Sequence, residues 1–136
     1  MRYLLVSFYM IISACAAYAD EAFQTYSDFE QYVDKRIKNR EFSTVISRLG
    51  GADEYTKQQL QMIQNQLRDV VPFYLTDGAI VKRIELENGF SQEMRAYWNK
   101  DNSYLFLYAF LQERNDGVIV LQFSMNTSPE PVLQMF

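Results

Sequence analysis

The spacing of apolar positions changes once along this chain, near residue 72. Before it, hydrophobic residues recur every three to four positions; after it, they alternate or run together. The first regime predicts helices. Phe29, Tyr32, Val33 and Ile37 mark one, with Ser27-Asp-Phe-Glu30 fitting a capping box at its start, although Phe23 and Tyr26 extend the stripe backwards. Phe42, Val45, Ile46 and Leu49 mark a second, ended by Gly50-Gly51. Leu60, Ile63, Leu67 and Val70 mark a third, from about Asp53 to Val71, which Pro72 stops.

The second regime predicts four strands. Ile80, Ile84 and Leu86 share one face of the first, with Arg83, Glu85 and Glu87 on the other. Asn88-Gly89 is a hairpin signal, since both residues tolerate the positive φ of a type I′ turn. The return strand, Phe90 to Trp98, sets Phe90, Met94, Ala96 and Trp98 against Ser91, Glu93, Arg95 and Tyr97. Lys100-Asp-Asn-Ser103 turns the chain into Tyr104 to Leu111, which is apolar on both faces. Asn115-Asp-Gly117 turns it into Val118 to Met125, and the tail after Pro129 reads as irregular or as a short edge strand. The expected fold is therefore α+β, with about three N-terminal helices packed on a four-stranded antiparallel meander.

Helices cover one face of such a sheet, yet the last two strands carry apolar residues on both. The second set needs a curled sheet, a partner subunit or the C-terminal tail as its cover. A large apolar patch left open marks a binding surface. Trp98, Tyr97, Tyr104, Phe106 and Tyr108 are the candidate binding residues on this ground, with tyrosine hydroxyls as polar handles. The expected partner is a protein or an apolar small molecule, and a homodimer is a further expectation.

The N-terminus carries its own signal. Met1-Arg2, the apolar run Tyr3–Ile12 and the small-residue exit describe a secretory signal peptide over residues 1–19, followed by one domain over 20–136. The run is too short to span a bilayer. Ala17-Tyr18-Ala19 places cleavage before Asp20 and discards Cys15. The competing reading takes Ile12-Ser13-Ala14-Cys15 as a lipobox, with Cys15 lipidated and the protein anchored to a membrane. Either way the chain is exported, to the periplasm under the preferred reading, and the mature chain has no transmembrane helix.

Composition narrows the chemistry. The chain has no histidine and one cysteine, which removes triads built on histidine and thiolate metal sites. No metal site or cofactor is expected. With 17 acidic residues against 13 basic, net charge −4, nucleic acid is not the expected partner. The basic run Lys35, Arg36, Lys38 and Arg40 reads as a helix C-terminus complementing its dipole. Glu85, Glu87, Glu93 and Arg95 read as a solvated, charge-paired sheet surface.

The order of helices and strands, Asn88-Gly89 and the stretch from Tyr97-Trp98 through Tyr104-Leu-Phe-Leu-Tyr108 to Gly117-Val-Ile-Val-Leu-Gln-Phe123 together resemble the nuclear-transport-factor-2-like, or cystatin-like, α+β superfamily. The resemblance is topological and covers most of the mature chain. It implies a cone-shaped pocket between sheet and helices, frequent dimers through the sheet, and functions ranging from enzymes to binding modules. The leading expectation is a non-catalytic binding domain. The alternative is a small pocket enzyme using carboxylate and tyrosine chemistry, with Tyr97, Tyr104 and Tyr108 near Asp77 or Glu113.

Overall fold

A computed structural model describes residues 22–50 and 54–136. The signal segment 1–19, Cys15, Gly51 and Asp53 lie outside the described residues. The elements run α1 (Tyr26–Lys38), α2 (Phe42–Gly50), α3 (Lys57–Val70), β1 (Asp77–Glu85), β2 (Phe90–Trp98), β3 (Tyr104–Arg114), β4 (Gly117–Asn126) and α4 (Pro129–Leu133). The strands form one antiparallel sheet in the order β1-β2-β3-β4, an α+β meander with three helices preceding it. Among the described residues, no helix is long and apolar enough to cross a membrane.

The α1 stripe buries Phe29, Val33 and Ile37, and α2 buries Phe42, Val45, Ile46 and Leu49. They pack with Leu105, Leu107, Ala109, Leu111, Val118 and Phe123 of β3 and β4 into the main core. The α1 start differs from the Ser27–Glu30 box. Thr25 is the N-cap, extended at φ −136° and ψ 163°, and its hydroxyl accepts the N–H of Asp28. Ser27 then falls inside the first turn, where it accepts from the Gln31 side chain. The third helix begins at Lys57 because Thr56 and Gln59 form a reciprocal capping box. It ends at Val70, which is exposed, and the chain turns at Val71 (φ −122°, ψ 78°) to bury that valine instead.

Asn88 and Gly89 have φ of 59° and 81°, as a type I′ hairpin requires. In β1, a bulge between Ile80 and Lys82 sets Ile80 opposite Arg95 but Ile84 opposite Gln92. The two isoleucines therefore lie on opposite faces, because one extra residue flips the alternation.

The tail is neither irregular nor a strand. Pro129 opens a short helix, α4, with Pro pre-set for the first helical position. α4 lies on the face opposite α1 and α2. There Val132 is buried with Met94 and Tyr108, and Phe106, Phe110, Met135 and Phe136 pack around them.

Candidate functional site

Strand register assigns each side chain to a face. Trp98 pairs with Tyr104, Ala96 with Phe106 and Met94 with Tyr108, so Trp98, Tyr104, Phe106 and Tyr108 share the α4 face. Tyr97 sits on the other face, fully buried beneath α1. The four aromatics that share a face are not equally covered. Tyr108 meets Phe136 edge-on at 5.3 Å, and its hydroxyl accepts from Gln92 Nε2 at 2.8 Å. Gln92 also donates to the Met135 carbonyl, and Lys82 Nζ sits 4.4 Å from the centre of the Phe136 ring. The tail thus seals the middle of this face. Towards the β2–β3 turn the seal gives out. Tyr104 is 43% exposed and stacks on Phe106 at 6.2 Å, and Trp98 is half-buried.

Trp98 also borders a groove of about 460 Å³, shared with Arg40, Pro72, Phe73, Tyr74 and Asp77 and with the Asn99–Asp101 turn. Phe73 and Tyr74 are 58% and 65% exposed, although they are large and apolar. Their backbone is fixed. Leu75 N–H donates to the Lys38 carbonyl, Asn99 Nδ2 donates to the Tyr74 carbonyl, and Arg40 Nε donates to the Val71 carbonyl at 2.7 Å. Val71 and Leu75, buried on either side, clamp the segment. Two aromatic rings therefore stand out from a pinned loop instead of folding into the core. Asn99 holds the adjoining turn by accepting the N–H groups of Asp101 and Ser103. The groove mixes aromatic walls with a rim of Asp77, Asp101, Lys100 and Arg40.

The sequence points to Trp98 and Tyr104 at this site but misses Phe73 and Tyr74. The available signal was two adjacent aromatics between a helix-stopping proline and the first strand, where turns usually carry polar residues.

The other face holds charge. Glu93 is fully buried and Arg95 is 3% exposed, so the reading of a solvated surface does not hold for them. They face α1, whose Tyr26, Glu30 and Asp34 recur at four-residue spacing on one side. Arg95 donates from Nε to Glu93 (3.1 Å), from Nη2 to Glu30 (2.7 Å) and to the Tyr26 hydroxyl (2.8 Å), and from Nη1 to Asp34 (3.3 Å). Glu93 also accepts from Tyr26 (2.6 Å) and Arg83 (3.0 Å), while Tyr97 donates to Asp34 at 2.6 Å. The Tyr97 ring fits because residue 78 is glycine: a Cβ there would come within 2.7 Å of it. Both carboxylate oxygens of Glu93 are engaged, as a buried ion must be. Asp77 and Glu113 belong to separate surroundings. Asp77 lines the groove, whereas Glu113 lies 3.9 Å from Arg83, so no shared site gathers them with Tyr97, Tyr104 and Tyr108.

Burial, followed by the hydrogen bond to Glu93, pushes the Tyr26 phenol up to about 12. Burial and the bond to Asp34 also raise Tyr97. For Arg95, burial works against the charge, but Glu93 and Glu30 outweigh it and hold the guanidinium protonated. The two phenols have a stability consequence. An unfolded tyrosine ionises near 10, whereas the folded state retains these protons. Their contribution is fully present below about pH 10 and is lost as pH rises through about 12. Absorbance at 295 nm should show a late-ionising set of tyrosines whose titration coincides with loss of the far-ultraviolet circular dichroism signal. Tyr97→Phe should remove one member of that set.

The fold and site together define a small α+β domain in which one sheet face is locked by buried charge and the other is apolar, tail-covered and open at one end. No protein-family model, curated protein or solved structure matches the chain. Among the described residues, no group of three or more Cys, Asp or Glu side chains is placed to hold a metal ion.

Proposed function

We propose that this chain is an exported, non-catalytic binding domain that takes an apolar group of its partner into the groove bounded by Phe73, Tyr74 and Trp98. The observation that carries the reading is the exposure of Phe73 and Tyr74 on a hydrogen-bonded backbone beside the half-buried Trp98. Rigid aromatics lose little conformational freedom on binding and supply most of the contact energy at recognition surfaces. The rim of Asp77, Asp101, Lys100 and Arg40 gives orientation. Tyr104, stacked on Phe106, continues the surface beyond Trp98. Export rests on the N-terminal pattern of residues 1–19, and removal of Cys15 with it remains part of the proposal.

The order of helices and meander is compatible with the nuclear-transport-factor-2-like resemblance, and that superfamily is the proposed affiliation. Its cone-shaped pocket would lie between sheet and helices, a space that Glu93, Arg95 and Tyr97 fill here at β2. This favours a binding role on the opposite side over the pocket-enzyme reading, which needs a carboxylate that a substrate can reach.

The test is heteronuclear NMR with the Trp98 indole N–H as reporter, unambiguous because the chain has one tryptophan. A panel of small apolar fragments and of short peptides carrying Leu, Phe or Trp should shift Trp98 and the amides of residues 73–76 and 99–101. Fragments acting alone identify a small-molecule site, and peptides acting alone identify a protein partner. Shifts confined to β4 or α3 would refute the groove.

A further inference from the structure

Among the described residues, β1 is an outer strand, paired with β2 and with no other strand. Residues Asp77 to Lys82 are exposed throughout, Val81 by 54%, and Leu86 beyond them by 47%. The other outer strand, β4, is met at Val118 by Phe23 through two backbone hydrogen bonds of 2.9 and 2.7 Å. An uncovered strand edge is a template for another strand, and the order of charges along β1 selects which one.

Two copies of β1 related by a two-fold axis run antiparallel with the axis normal to the sheet. Residues of one face then meet residues of the same face. Leu86 donates its N–H to the Phe90 carbonyl at 2.8 Å. By alternation, Leu86, Ile84 and Lys82 turn their backbone groups towards β2, and Arg83 and Glu85 turn theirs outward. Three registers fit the stretch beyond the bulge. Centred on Arg83, two guanidinium groups collide; centred on Glu85, two carboxylates collide, and the Arg83–Glu87 pairs that could offset this need residue 87, which lies in the bend past the end of β1. Centred on Ile84, Arg83 of each copy meets Glu85 of the other, and Ile84 packs on its own symmetry mate. Like charges directly opposite destabilise a pair and opposite charges stabilise it, so only the last register is favourable.

We infer that this chain forms a homodimer by antiparallel pairing of β1 with β1 of a second copy, centred on Ile84, giving one continuous eight-stranded sheet. Arg83 Nε already bonds Glu85 of its own chain at 2.6 Å, and the Glu85 side chain is still 68% exposed. Pairing therefore closes a ring of four alternating charges. Arg83 is held in place from behind by Glu93 at 3.0 Å, so one arm of that ring is preset. The bulge at Val81 ends the regular edge and confines pairing to the segment after it. The interface is separate from the groove, and the failure of either proposal leaves the other standing.

Sedimentation velocity on the full chain carrying Cys15→Ser tests this, at up to about 100 μM, where a dimer with a Kd in that range is half-formed. The expected result is a dimer that Glu85→Lys weakens by about ten-fold or more, since two attractive cross-strand pairs become repulsive. Glu87→Lys, the same charge change away from the axis, should have little effect, with circular dichroism confirming that both variants are folded. In the same background, Ile84→Cys should cross-link to itself on mild oxidation. Its Cα atoms would lie about 4.5 Å apart, within disulfide reach. Leu86→Cys should not cross-link. A monomer at the highest concentration overturns the inference. So does a dimer indifferent to Glu85→Lys, or one in which Leu86→Cys links and Ile84→Cys does not.

Discussion

Arg95→Met is expected to destabilise the fold by about 3–5 kcal/mol, the cost of leaving a buried charge without its main partner. Glu93 is fully buried and accepts hydrogen bonds from Arg95, Arg83 and Tyr26. Removing Arg95 leaves that carboxylate inside the protein with one cation instead of two. It also removes the ion pairs that join Glu30 and Asp34 on α1 to the sheet, leaving the Tyr97 hydroxyl as the tie to Asp34. The outer carboxylates behave differently. The Glu30 and Asp34 side chains are 39% and 36% exposed, so water takes over when their charge is removed. Glu30→Gln and Asp34→Asn should each cost about 1 kcal/mol or less. Urea denaturation reads all three. The midpoint should fall sharply for Arg95→Met and slightly for the others, with the slope unchanged. Equal, small losses in all three would mean that the network is not the joint between α1 and β2.

Ending the chain after Ser128 is the second large perturbation. The residues removed include Val132, which is fully buried, and Met135 and Phe136, which pack on the same cluster. Ordering the tail offsets much of what its own side chains gain by burial. The uncovering of Met94 and Tyr108, each 2% exposed in the intact protein, remains as a loss. At about 1.5–3 kcal/mol for each such side chain, the expected destabilisation is about 3–5 kcal/mol. The shortened protein should bind 8-anilinonaphthalene-1-sulfonate more strongly and self-associate, because a continuous apolar stripe from Tyr104 to Phe110 opens on one side. A truncated protein with unchanged stability and unchanged dye binding would show that α4 contributes nothing to closing the sheet.

How much of this was legible in the sequence follows from how local each signal is. The α1 and α2 stripes, the Asn88-Gly89 hairpin and the strand order depend on residues close together, and they emerge as read. The start of α1 shifted to Thr25 because two hydroxyl residues precede the stripe, and only backbone geometry chooses between them. Alternation alone puts Ile80 and Ile84 on one face, and the bulge that separates them leaves no mark in a run such as Ile80-Val-Lys-Arg.

The candidate site was half legible. Trp98 and Tyr104 stand out by type and alternation, and their partial exposure follows from where the tail stops. Phe73 and Tyr74 were invisible because what holds them outward is distant in sequence: Lys38, Arg40 and Asn99 pin the loop from two other segments. Strand alternation places Glu93 and Arg95 on one face without saying which face the helices cover, so their burial is not legible from it. The acid–phenol spacing of Tyr26, Glu30 and Asp34 on α1 was the missing clue. An amphipathic helix that carries its charges beside its apolar stripe can bury both.

The claim on which the functional reading depends is that the open end of the apolar face binds through Phe73, Tyr74 and Trp98. The intrinsic emission of Trp98, the single tryptophan in the chain, measures it most directly. Titrating the intact protein with 8-anilinonaphthalene-1-sulfonate should quench Trp98 saturably by energy transfer. Tyr74→Ser and Phe73→Ala should weaken that quenching about ten-fold, the cost of losing an aromatic anchor at a contact site, while urea midpoints stay unchanged because both rings are largely exposed. Saturable binding that leaves Trp98 emission untouched, or that persists undiminished in both variants, would contradict the account.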